Sequence, residues 1–150
     1  MQILLILLAL MMGAASAIQG ATNGTLAGRI GLSSAVFFNA LVLTTVAGIV
    51  WAFTRRGFAS EPASPWFLYA GGLYGLFIIA GAAFAFPRIG AGPTTALMVA
   101  AQLTTALVLD HLGLPSGKVE VTPLRILGAI LLSAGALLIL WPKLFPRSGA

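Results

Sequence analysis

The chain has 150 residues, of which 59% are hydrophobic and only 7% charged. That balance lies far outside the range of a water-soluble globular domain. The net charge of +5 is the balance of eight basic against three acidic residues, and the basic ones are scattered along the chain without forming a patch, which argues against nucleic acid and leaves phospholipid headgroups as the counter-charge.

Crossing a hydrocarbon core of roughly 30 Å takes about 20 apolar residues in a helix. Five apolar stretches with at most one charged residue each approach that length, approximately Ile3 to Thr22, Ser33 to Thr54, Pro65 to Phe86, Gly92 to Asp110, and Pro123 to Trp141. They are too long and too aliphatic for the alternating strands of a membrane barrel, so each is predicted to satisfy its backbone hydrogen bonds internally as a helix. The predicted fold is an all-α integral membrane protein, a single transmembrane domain over residues 1–150.

In chain order, the first stretch carries Ala15-Ser16-Ala17 behind an apolar core, which resembles a signal-peptide cleavage site. No Lys or Arg precedes that core, and a leader ordinarily has a positive N-terminal region, so a retained helix is predicted. Arg29 falls in the first gap. Trp51 and Trp66 flank the second, which holds Arg55, Arg56 and Glu61; Trp141 closes the last helix. Such rings favour the headgroup level, where an apolar face and a polar N–H are both satisfied. Pro87 is predicted to close the third helix and Pro93 to sit in the first turn of the fourth, where its missing N–H costs nothing. Arg88 to Gly92 then reads as a tight helical hairpin. Lys118 and Glu120 occupy the fourth gap.

Lys and Arg bias loops toward the cytoplasm. Alternating spans place Arg55, Arg56, Lys118 and Arg125 on one side and Arg29, Arg88, Lys143 and Arg147 on the other, four against four. A tie predicts insertion in both orientations. Two opposed copies make ten helices about an axis in the membrane plane, the inverted-repeat plan of many secondary transporters. The alternative is a single orientation fixed by a partner.

The run GAASAIQGATNGTLAGRIG at 13–31, the segment FPRIGAGPTTALMVAAQLTTALVLDHLGL at 86–114 and TPLRILGAILLSAGALLIL at 122–140 together resemble the YdcZ-like family of the drug/metabolite transporter superfamily. The more specific features are Gln19 and Asn23 before Gly28-Arg29, Pro87-Arg88 before Gly90, Gln102, and Asp110-His111-Leu112-Gly113. The resemblance implies a multi-pass inner-membrane exporter, with members that occur as short single units, pairs or fused doubles. It leaves open an antiparallel homodimer or a related paired subunit. Small multidrug exporters of that superfamily use a carboxylate in their first helix; this chain has none there.

A side chain able to hydrogen-bond is costly against lipid. Gln19, Asn23, Asn39 and Gln102 are therefore predicted to face protein or an aqueous path. Thr95, Gln102 and Thr105 fall within about 80° of one another on a helix, a polar stripe that serves either substrate contact or interhelical bonding. Gly20, Gly24 and Gly28 recur every fourth position, Gly71 and Gly75 repeat the spacing, and so do Ala129 and Ser133. Such faces permit close helix approach within a subunit, between subunits or during sliding.

Asp110 and His111 point about 100° apart on a helix, so they form no ready acid/base pair. One His and no Cys make a metal site improbable on the usual ligand sets, and no cofactor is expected. Asp110 has two readings, a helix-end anchor held by Arg88 or Lys118, or a proton-coupling carboxylate. No enzyme is expected, because Ser33, Ser34 or Ser133 would have to meet the lone His111 from another helix. The function predicted is secondary transport of a small organic metabolite or drug-like compound by alternating access. The alternatives are a structural or accessory membrane subunit and a lipid-translocating protein.

Overall fold

The computed structural model describes residues 2–54, 66–114 and 117–145. It contains α1 (Gln2–Ile30), α2 (Leu32–Thr54), α3 (Gly71–Ile89) preceded by a short 3-10 helix (Trp66–Ala70), α4 (Ala91–Leu112) and α5 (Pro123–Leu144). All five are long and apolar enough to cross a membrane, the third counted from Leu68. The chain is a multi-span, all-α membrane protein. The loop residues Arg55, Arg56 and Glu61, the side chain of Trp66, and Arg147 lie outside the described residues.

Three helices, α1, α3 and α5, run three or more residues past their predicted C-terminal ends. α1 runs on to Ile30, which puts Arg29 in its last turn. The polar residues of Asn23-Gly24-Thr25 end the apolar count but not the backbone bonding, which stops only where Gly31 takes a φ of 87°, a region glycine enters without a Cβ penalty. α3 passes through Pro87 to Ile89, because a proline in a last turn removes a single i to i−4 bond. The Arg88 guanidinium secures that turn, donating to the Phe84 carbonyl at 2.6 Å and lying 3.5 Å from the centre of the Phe84 ring. The predicted hairpin of Arg88 to Gly92 therefore shrinks to Gly90, with φ 97°, and Pro93 stands in the first turn of α4. α5 likewise continues through Pro142 to Leu144.

The chain divides into two compact units, Met1–Arg88 and Ile89–Ala150. In the first, α1 packs on α2, and in the second α4 packs on α5. α4 ends on Gly113 at φ 84°, whose N–H bonds back to Asp110 O while Leu114 N–H reaches Leu109 O at 3.0 Å, the paired bonds of a Schellman end. Val119 N–H adds a bond to Asp110 O at 3.0 Å. Thr122 then caps α5, its hydroxyl accepting from Arg125 N–H at 3.4 Å with Pro123 in the first turn.

The glycine repeat of α1 has an identified partner. A Cβ on Gly20 would run into the Phe86 ring, and one on Gly24 would come within 3.1 Å of Pro87 Cδ. At Gly28 a Cβ would meet nothing within 4 Å. The first two glycines thus let α3 approach within the same unit, whereas Gly71 and Gly75 have open space. Gly20→Val is expected to lower stability by about 1–3 kcal/mol, the usual cost of overpacking, and Gly28→Ala to leave it unchanged; thermal unfolding in detergent checks both.

Candidate functional site

Hydroxyls inside a span can bond to their own helix. Thr22, Thr25, Thr45, Thr54, Thr94 and Thr104 each donate to a carbonyl of their own helix or its N-cap, four residues back, at 2.7 to 3.0 Å. Those threonines are satisfied locally and need no partner helix. Amide side chains are longer and carry both a donor and an acceptor, so they are the polar groups whose needs reach between helices.

Asn23 of α1 and Asn39 of α2 meet, with Asn39 Nδ2 donating to Asn23 Oδ1 at 3.1 Å. Asn23 is buried, with 6% exposure. This one bond leaves two buried atoms, Asn23 Nδ2 and Asn39 Oδ1, without a hydrogen-bond partner among the described residues. The pair stands eight residues either side of the Gly31 turn, which at 1.5 Å per residue puts it about 12 Å along the helices.

A cavity of about 450 Å³ opens nearer the turn, walled by Gly24, Ala27 and Gly28 of α1, Leu32 of α2, and Ala83, Phe84, Pro87 and Arg88 of α3. Its α1 wall begins one residue from Asn23. The volume lies within the usual range for small-molecule sites, about 300–1,000 Å³. Gly28 keeps the cavity open by having no side chain, and Arg88 supplies its positive charge.

Of the predicted site residues, Asn23 and Asn39 are brought together. Gln19, one turn before Asn23, is exposed. In the second unit Gln102 and Thr105 are exposed on α4 and do not line the open groove between α4 and α5, which instead takes Thr104. That groove holds about 880 Å³ and is apolar apart from Thr104, His111 and Ser133. Asp110 pairs with Arg125 across the α4–α5 connection at 3.5 Å. The predicted partners, Arg88 or Lys118, are replaced because the Schellman end and the Thr122 cap bring the first turn of α5 beside the last of α4. Phe86 and Pro87 fill the glycine face; in sequence Pro87 reads as a helix end, and neither residue reads as a packing partner.

The whole arrangement is carried by a sequence with a family counterpart: residues 4–138 match the family model described as "Putative inner membrane exporter, YdcZ". The chain belongs to the YdcZ family. None of the curated proteins or solved structures matches it. Membership places this YdcZ protein among the drug/metabolite transporters, and the match spans both units, including the Asn pair, the cavity and the α4–α5 hairpin.

The Asp110–Arg125 pair of this YdcZ protein is partly exposed, with side-chain exposures of 37% and 46% respectively. Rim pairs of this kind contribute about 0 to 1 kcal/mol. A double-mutant cycle of Asp110→Asn and Arg125→Gln, read by thermal unfolding, is expected to give a coupling within that range of about 0 to 1 kcal/mol.

Proposed function

We propose that this YdcZ protein is a secondary transporter of the inner membrane that exports a small organic metabolite or drug-like compound by alternating access, working as an antiparallel homodimer. The observation that carries the reading is the cavity between α1, α2 and α3 beside an incompletely bonded amide pair, in a chain whose family is described as an exporter. Polar groups left unmet inside a membrane point to a path or a ligand, since lipid cannot satisfy them. Gln19 on α1, and Gln102 and Thr105 on α4, are assigned to substrate contact from exposed helix faces.

Two features support the dimer. The five spans are mostly exposed within the chain, so the helices have ample face for a second copy as well as for lipid. The four-against-four distribution of basic residues gives little orientation bias, and opposed copies supply the inverted symmetry that alternating access commonly uses. A related paired subunit would meet the same geometric need.

Asp110 is assigned to anchoring the α4–α5 connection, since Arg125 holds it and the rim position is open to solvent. Asp110→Asn is then expected to leave flux driven by a pH gradient measurable, and loss of gradient-driven flux with retained substrate binding would make it the proton carrier. No catalytic step is assigned. His111 and Ser133 share the α4–α5 groove without a hydrogen bond between them among the described residues. The apolar lining of that groove favours one second reading, lipid translocation, which a lipid-scrambling assay in the same proteoliposomes tests.

Solute flux in proteoliposomes is the direct test. Gly28→Leu, which puts bulk into the cavity where no atom stands within 4 Å of a Cβ, is expected to suppress flux while keeping the wild-type unfolding temperature. Unchanged flux removes the cavity from the path. Because the chain has no cysteine, single cysteines added at each terminus report orientation, and each is expected to be labelled from both sides of the membrane. Labelling of either terminus from one side alone rules out dual insertion.

A further inference from the structure

The Asn23–Asn39 pair has a hydrogen-bonding signature that limits what fits it. Each primary amide has a carbonyl oxygen and an NH2 group. The single bond between them, 3.1 Å long, uses the NH2 of one and the oxygen of the other. What remains is a donor on Asn23 and an acceptor on Asn39, both buried. Exchanging oxygen and nitrogen in both side chains moves the leftover donor to Asn39 and the leftover acceptor to Asn23, but still leaves one of each. The signature therefore does not depend on how the amides are oriented.

A ligand completing this pair must present an acceptor and a donor side by side. A carboxylate has acceptors only and would leave the Asn39 oxygen facing a second oxygen. An ammonium has donors only and would leave the Asn23 NH2 facing another N–H. Charge weighs further against a cation, because α1, α2 and α3 contain no acidic residue and Arg88 stands in the cavity wall; an anion is opposed by the unmatched Asn39 oxygen. A neutral amide, lactam or urea offers C=O to one asparagine and N–H to the other.

We infer that the Asn23–Asn39 pair is the recognition element of the transport path and selects solutes carrying a neutral amide-type donor–acceptor group. The inference rests on the transporter reading for the route by which the solute arrives. Asn23 is enclosed by its own chain, so a second copy docked on the outside of this unit does not reach it. A solute in the cavity at Gly24, Ala27 and Gly28 stands one to five residues along α1 from it, and recognition requires α1 and α2 to part there during the transport cycle. These two groups are buried without a hydrogen-bond partner among the described residues, so a ligand that satisfies both offsets the cost of leaving them unmet.

Three probes on one ring separate the chemistries: benzamide carries donor and acceptor, benzoate acceptors only, and benzylammonium donors only. Added to the intact protein in lipid nanodiscs, benzamide is expected to raise the unfolding temperature and to move the 15N side-chain signals of Asn23 and Asn39, with benzoate and benzylammonium doing neither. Asn23→Leu and Asn39→Leu are each expected to weaken benzamide binding by roughly tenfold, the scale of one hydrogen bond. Should either variant fail to fold, the wild-type titration decides. Preference for either ion, unmoved asparagine signals, or undiminished benzamide binding in both folded variants overturns the inference. Dissociation of the dimer in either variant would assign the pair to a subunit contact and overturn it too. Benzamide that binds as expected but is never carried across proteoliposomes contradicts the transporter reading alone, whereas benzamide flux that survives in both variants contradicts the recognition alone.

Discussion

A bilayer core supplies no water to a polar group, and nearly every feature of this chain answers to that constraint. Five helices close their backbone bonds internally. Threonine hydroxyls fold back on carbonyls of their own helix. Gly31 at positive φ forms the whole turn between α1 and α2, and Gly113 at positive φ ends α4. Against this background of local satisfaction the Asn23–Asn39 pair stands apart, since its amides meet across two helices and still leave a donor and an acceptor unused.

The cavity follows from packing. Lipid tails are as apolar as the helices, so spans associate through close van der Waals contact. In the first unit, Gly20 and Gly24 provide that contact for Phe86 and Pro87, which fill the groove their missing side chains leave. One turn further on, the same repeat reaches Gly28 and has no large partner. The space therefore widens into the cavity toward the Gly31 turn. One sequence repeat thus makes a tight contact at one end and an opening at the other, depending on what α3 presents.

Much of this was legible in the residues. Span number and type followed from apolar length alone, because nothing but a helix hides its backbone over 20 such residues. Helix ends were less legible: a proline in a last turn looks like a stop but costs only one bond, so α3 and α5 outrun Pro87 and Pro142. Asn23 and Asn39 were recognisable as residues lipid would reject. Their meeting was also encoded, since equal distances of eight residues from Gly31 place them at one depth. That required knowing that Gly31 alone forms the turn, which depends on backbone geometry. The choice of Arg125 for Asp110 was hidden for a similar reason, because it depends on how the Schellman end and the Thr122 cap fold the short connection back. The roles of Gln102 and Thr105 were the least legible, since the faces that carry them look away from the α4–α5 groove.

The central claim is that two asparagines hydrogen-bond inside the membrane and keep one donor and one acceptor in reserve. Solid-state NMR on bilayer-embedded protein, with 13C and 15N placed selectively at the two side chains, measures this directly. The account predicts an Asn39 Nδ2 to Asn23 Oδ1 separation near 3.1 Å and, without added solute, no second close polar neighbour for either amide. Side chains beyond hydrogen-bond distance, or a reciprocal pair of bonds that uses all four groups, would contradict it.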